Sequence, residues 1–359
     1  MKSRAVPPAR ADHAGSLLRS QELLLARQTG DPSALARAED EAVRAVVRIQ
    51  EDSGLTVVTD GEQRRAYWNF DLLGRLGNVE FVDATPGSDD LPRLDVHGPV
   101  HREQPLTVPD FAFLRAVTGP GCTAKQTLPS PTYLQGRGRV SPVTRTSYPE
   151  DGPLYADTAA AYRAELAELA EAGCSYVQFD DPGFGFLCDP VQREQLEAAT
   201  GRRTGTVLKE YAQTVTDALR DRPQGLTVTL HTCRGNFRGQ SFARGGYEPV
   251  AEVLFNETDV DGYYLEYDTE AAGGFEPLRY LPSDKFVVLG LVSTRDGRPQ
   301  DKDTLKRRIN EASRFVPLER LALGPQCGFC AMLPGNPLTA RDQADKLRLV
   351  AETAAEIWR

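Results

Sequence analysis

Short apolar runs alternate with amphipathic stretches along most of this chain. In DTAAAYRAELAELAEAG (157–173), Tyr162, Leu166 and Leu169 recur at helical spacing and a glycine follows, which predicts a helix and its stop. It leads into SYVQFDD (175–181), a predicted strand that ends in two acids. The alternation continues with a helix over 204–219, a strand over 226–233, a helix over 249–255 and a strand over 260–268. KFVVLGLVS (285–293) is an uninterrupted apolar strand, and the helix over 303–316 aligns Leu305, Ile309, Ala312 and Val316 on one stripe. A strand and turn over 319–328 and an amphipathic helix over 339–358 close the chain. Upstream, 31–54 reads as a helix with Asp31 as N-cap and Pro32 in its first turn, feeding a strand over 55–62.

Strands that are apolar throughout and separated by helices predict a parallel sheet covered on its faces. The expected fold class is α/β, a single (β/α)8 barrel spanning 1–359, with a helical segment near the N-terminus. Residues 74–120 are less regular, with several prolines and glycines, and are expected to form an excursion from the barrel. Polar residues gather at predicted strand ends: Asp60 and Glu62, Asp180 and Asp181, His231 and Cys233, Glu266, and Cys327. In a parallel barrel these ends share one face, where active sites form.

Bulk properties narrow the function. A net charge of −9 argues against a general nucleic-acid binder. The N-terminal residues lack a signal-peptide core and no apolar run approaches a membrane span, so a soluble, cytoplasmic protein is expected. Six irregularly spaced cysteines do not resemble a secreted disulfide framework, leaving reduced thiols or metal ligands. No phosphate-binding loop, dinucleotide fingerprint, nucleophile elbow or H-E-x-x-H motif is present.

His231 and Cys233 lie two apart on a predicted strand, so imidazole and thiol share a face. That pattern builds two legs of a metal site, and it equally buries two core residues. With Glu266 and Cys327 from other strand ends, the set offers two thiolates, an imidazole and a carboxylate, a donor combination that zinc accepts. Cys122, Cys174 and Cys188 read as structural. Cys327 and Cys330 form a C-x-x-C with no second copy, in a glycine- and proline-rich context; one ligand and one bystander fit it better than a redox pair.

Seven stretches together resemble the cobalamin-independent methionine synthase family, in its catalytic C-terminal barrel and its short single-barrel relatives. They are RADHAGSLLR (10–19), TDGEQRRAYWNFD (59–71), YVQFDDP (176–182), HTCRGNFRG (231–239), VDGYYLEYDT (260–269), VVLGLVSTRDG (287–297) and LGPQCGF (323–329). The resemblance implies a barrel of the methionine synthase and uroporphyrinogen decarboxylase type. It also implies a Zn2+ cofactor held by His231, Cys233, Glu266 and Cys327, and a homocysteine amino-acid group held by Gly15–Ser16, Glu62 and Asp180. The chain departs from the pattern in three ways: it lacks the N-terminal half of the full-length enzymes, it has Asp181 where the family usually has Glu, and Cys330 is additional.

The activity so implied is methyl transfer to a thiol, giving methionine from homocysteine, with a methylated folate or a methyl-corrinoid on a partner protein as donor. Asp180 and Asp181 are the expected catalytic acids, Asp181 as a source of the proton for the donor's leaving nitrogen or as a helix cap. Trp68 and Tyr264 are candidates to stack on a pterin or to pack in the interior. Alternatives within the same chemistry are thiol attack on an epoxide and, in the wider superfamily, a metal-free decarboxylase.

Overall fold

In the computed structural model, residues 6–83, 92–134, 141–333 and 335–358 are described. Ser20 caps α1 (Gln21–Thr29), and Asp31 caps α2 (Pro32–Asp52) by accepting from the Ser33 amide, as the sequence predicts. The chain then passes through β1 (Val57–Val58), α3 (Phe70–Leu73), β2 (Gly77–Val82), β3 (Arg93–His101), α4 (Val108–Val117), β4 (Thr123–Ala124) and β5 (Gln126–Pro129). The next elements are α5 (Pro142–Ser147), α6 (Asp151–Glu171), β6 (Tyr176–Asp180), α7 (Pro182–Phe186), α8 (Pro190–Thr200), α9 (Thr204–Ala218), β7 (Thr227–Thr232) and α10 (Glu248–Glu257). Last come β8 (Gly262–Glu266), β9 (Phe286–Val292), α11 (Lys302–Ala312), β10 (Leu321–Pro325) and α12 (Ala340–Ile357).

Strands β5 to β10 form one parallel sheet in sequence order. β1 pairs in parallel with β4, which continues into β5 across Lys125. The sheet closes through residues 10–12: Asp12 N donates to Leu323 O at 3.0 Å and Leu323 N to Arg10 O at 2.8 Å. On their other side, Leu17 N reaches Gly61 O and the Thr59 hydroxyl reaches Gly15 O. Eight staves result, and the fold is the expected (β/α)8 barrel.

Side-chain parity along the staves sorts the chemistry. Val177 and Phe179, Val228 and Leu230, Tyr263 and Leu265, and Val287 and Leu289 join the main core, which also holds helix residues such as Leu166, Leu169, Val207 and Leu208. The alternate positions are the polar ones in the middle of the sheet: Gln178 and Asp180, Thr229 and His231, Tyr264 and Glu266. Parallel register sets Asp180 beside His231, His231 beside Tyr264 and Glu266 beside Gly290.

The expected excursion over 74–120 is narrower than its sequence suggests. β2 and β3 form an antiparallel hairpin, whereas α4 packs against α2 and α6 as a member of the outer ring. Residues 84–91 of the excursion lie outside the described residues. The exposed edge of β3 is blunted by side chains: Val96 N donates to the Thr144 hydroxyl and Val100 N to the Tyr148 hydroxyl. Glu165, fully buried on α6, anchors the return to α4 by accepting from Leu106 N, Thr107 N, the Thr107 hydroxyl and Arg102 Nε. Among the described residues, no helix is long and apolar enough to cross a membrane.

Replacing Glu165 by Ala strands the buried amides of Leu106 and Thr107, while Arg102 keeps Glu168. Glu165→Ala should destabilise the protein by about 2–5 kcal/mol, the cost of leaving two buried donors unsatisfied. Urea unfolding of the two proteins reads this directly; a loss near zero would show that the hairpin is held elsewhere.

Candidate metal centre and adjoining cleft

His231 ends β7 and Cys233 follows it by two positions, Glu266 ends β8, and Cys327 lies two residues past β10. Their ligand atoms all fall within 4.8 Å of one another, and the two sulfurs are 3.4 Å apart. The turn after β10 needs its glycine neighbour on β9, because a Cβ at Gly290 would stand 2.7 Å from Gln326 Cα. Likewise a Cβ at Gly185 would stand 2.2 Å from the Cys233 carbonyl oxygen, so α7 can pack directly against the end of β7.

Each donor is held by a further group. His231 Nδ1 lies 2.9 Å from Asp180 Oδ1, and its Nε2 is buried with no partner among the described residues. Because a carboxylate only accepts, Nδ1 carries a proton, which leaves Nε2 as the nitrogen that a metal would take. Glu266 accepts from Arg234 N at 3.0 Å and from Arg295 at 3.2 Å, and Arg295 is itself held by Asp268 at 3.0 Å. Gly235 N donates to Cys233 Sγ at 3.3 Å.

Electrostatically the four groups form a trap for a cation. Burial pushes the Glu266 carboxyl up to about 7, and the adjacent Cys327 sulfur adds to that shift against the pull of Arg295. The Cys233 thiol is held well above its usual range by its hydrogen bond to Cys327 and by burial. The Cys327 thiol is lowered well below it, by Cys233 and then by His231. A divalent ion relieves this mutual repulsion, so the residues fit zinc in donor type, number and spacing.

A second set of buried residues adjoins the cluster on the side of Asp180. Gly15 adopts φ +116°, and a Cβ there would lie 2.6 Å from Thr127 Cγ2, so the backbone passes close to the third stave. Ser16 is buried, and its hydroxyl packs so near Gly328 that a Cβ on that glycine would stand 1.9 Å away. Glu62 takes the left-handed conformation at φ +58°, rare for a residue with a side chain. Its Oε1 accepts from the Thr127 hydroxyl at 3.1 Å and lies 3.4 Å from Arg65, while Oε2 is buried with no partner among the described residues. Arg19 stitches these segments together through the carbonyls of Leu17, Cys330, Glu62 and Arg65. Burial pushes the Glu62 carboxyl up to about 7; Arg65 opposes the shift and the nearby Asp180 reinforces it.

The family described as cobalamin-independent synthase, catalytic domain, matches residues 137–338, more than half of the chain. The chain belongs to the cobalamin-independent methionine synthase family. It is 39% identical to the Bacillus subtilis protein YxjG over 369 residues, which cover 99% of this chain and 96% of that one. A solved Listeria monocytogenes structure, named as a candidate vitamin-B12-independent methionine synthase, superimposes with a TM-score of 0.80 at 32% identity and covers 99% of both chains. The 5-methyltetrahydropteroyltriglutamate–homocysteine methyltransferase of Bacillus licheniformis is 23% identical over 313 residues, 84% of this chain but 36% of that protein.

Several residues singled out from sequence lie elsewhere in this methionine synthase-family barrel. Asp181 is fully buried as the N-cap of α7, its oxygens accepting from Gly183 N and the Thr132 hydroxyl, both at 2.7 Å. Tyr264 is buried inside the barrel, its hydroxyl bonded to Tyr176 and Lys125, so it packs in the interior. Trp68 is half-buried against Tyr133 with ring centroids 4.9 Å apart. Cys330 is buried with its thiol on Met332 O, and Cys174 and Cys188 are buried within the main core.

Sequence reasoning passed over Arg19, Thr127, Gln178 and Arg295. Gln178 carried a legible signal, a polar residue of the same parity as Asp180 in an apolar strand. Arg295 and Thr127 act across long sequence separations and carried none.

The raised Glu62 carboxyl has a signed consequence. A folded-state pKa of about 7 against an ordinary 4.5 means stability is fully present below pH 4.5 and is lost as pH rises through 7. Glu62→Gln should therefore be more stable than the parent at pH 8 by about 3 kcal/mol, and equal to it below pH 4.5. Urea unfolding across that range checks the sign, and a variant less stable at pH 8 would show that Arg65 dominates.

Proposed function

We propose that this barrel is a zinc-dependent methyltransferase that methylates the sulfur of homocysteine to give methionine, with a methylated folate as donor. The observation that carries this reading is the donor set. Two thiolates and a carboxylate outweigh the charge of a dication by about one unit, unlike the neutral histidines of hydrolytic zinc sites, which keep the metal acidic towards water. The family membership and the names of its relatives support the choice of acceptor and donor.

In this reading His231, Cys233, Glu266 and Cys327 hold the ion. Bound zinc supplies the positive charge that strips the proton from an incoming thiol at neutral pH. The chain's own groups do the rest. The unpartnered oxygen of Glu62 and the second oxygen of Asp180 receive the ammonium of the amino acid, and Gly15–Ser16 receives its carboxylate. Arg19 keeps these segments in register, which places the sulfur against the donor methyl. As the bond from sulfur to methyl carbon forms, the bond from that carbon to the donor nitrogen breaks, and the nitrogen takes up a proton from solvent that balances the one the thiol has released. Asp181, committed to Thr132 and to α7, shapes the wall beside Asp180.

Purified protein should contain about one zinc per chain by elemental analysis. Zinc-loaded protein with homocysteine and each candidate donor in turn, a methylated folate, a methyl-corrinoid and an epoxide, should yield methionine with the folate, read by mass. Cys233→Ser should lose the zinc and reduce turnover by more than about 100-fold, beyond the usual cost of losing an outer-shell partner. Full activity in a zinc-free variant would overturn this function.

A further inference from the structure

The interior of a (β/α)8 barrel is ordinarily filled with branched apolar side chains. Here a file of polar side chains runs through it to the metal cluster. Lys125, fully buried on the third stave, donates to Asp12 Oδ1 at 2.7 Å, His13 O at 2.5 Å, the Tyr264 hydroxyl at 2.8 Å and Gln178 Oε1 at 3.1 Å. The Tyr176 hydroxyl closes the lower end on Asp12 Oδ2 at 3.0 Å and on Tyr264 at 2.7 Å. At the upper end Gln178 Nε2 donates to Ala14 O and to Asp180 Oδ1, both at 2.7 Å.

The chemistry of these groups leaves one orientation. An ammonium only donates, so the amide oxygen of Gln178 must face Lys125. That turns the amide nitrogen towards Ala14 O and Asp180, both of which accept. Asp180 Oδ1 is then shared by Gln178 and His231, whereas Oδ2 has no partner among the described residues. One oxygen is committed to the imidazole and the other is left open.

We propose that Gln178 is a positioning residue, held by Lys125, that fixes Asp180 for two tasks at once: accepting from His231 Nδ1 so that Nε2 is the nitrogen offered to a metal, and presenting Oδ2 to the ammonium of the substrate. This rests on the reading of His231 as a metal ligand and Asp180 as an amino-acid contact. A purely structural role for Gln178 would be to share in satisfying Lys125, which also has Asp12, His13 O and the Tyr264 hydroxyl within reach.

The chain has four histidines, so the imidazole nitrogens of His231 can be followed by NMR after 15N-histidine labelling. Two variants are compared with the parent: Gln178→Glu, which still accepts from Lys125 but offers Asp180 no donor, and Gln178→Met, which is neutral and of similar length. In metal-free parent protein the Nδ1 proton of His231 should be hydrogen-bonded to Asp180 and exchange slowly with water. Each folded variant should lose that protection. Chelator competition should give a zinc dissociation constant raised about 10-fold or more, the usual cost of losing an outer-shell partner. KM for homocysteine should rise by a larger factor than kcat falls.

A folded variant with the parent's protected Nδ1 proton and zinc affinity would overturn the proposal, and Gln178→Met decides if Gln178→Glu does not fold. Should the parent itself take up no zinc, the metal reading has failed. Protection of the Nδ1 proton in metal-free protein still decides the role of Gln178.

Discussion

Four side chains from three strand ends can share one ion only if those strands end at the same height and point the right parity inward. The parallel register supplies both conditions, since Asp180 stands beside His231 and Glu266 beside Gly290. A slip of one residue in β7 would turn His231 towards the helices and bring Leu230 into the barrel. The glycines at 290 and 185 belong to the same constraint, because only a residue without Cβ lets the Cys327 turn and α7 approach this closely. The cluster is therefore a property of the sheet's alignment before it is a property of any one of its side chains.

Gathering unneutralised donors in a dry interior is costly, and the protein meets that cost by half-satisfying each group. Asp180, Glu62 and His231 each have one heteroatom engaged by the protein and one left open. Glu266 is held by a backbone amide and by Arg295. Such partial satisfaction is destabilising by itself and leaves acceptors that would suit a cation. The raised carboxyls of Glu62 and Glu266 are the electrostatic record of that arrangement.

Around this centre the remaining elements provide rigidity. Arg19 joins the segment carrying Ser16 to those carrying Glu62 and Cys330, with a single guanidinium on four carbonyls. Asn236 and Asn336 tie the loop after β7 to Gly328 and Thr294, close to the Cys327 turn. The β2–β3 hairpin is anchored through Glu165 on the outside of the barrel. Its attachment and the metal centre use separate sets of residues, so the two can vary independently.

Much of this was legible in the chain alone. Helical spacing, capping residues and unbroken apolar strands are local signals, and they located the ring helices and the parallel staves. Strand-end chemistry and the resemblance of seven stretches to a known family then named His231, Cys233, Glu266 and Cys327 as a set. What the tertiary structure decided lies between distant residues. It turned Asp180 onto His231, set Asp181 to capping α7, buried Tyr264 in the barrel and returned α4 to the ring. It also brought Lys125 under Gln178 and Arg19 across three loops. Local sequence encodes parity and propensity, whereas these contacts depend on which staves stand side by side once the barrel closes, a condition that no short window contains.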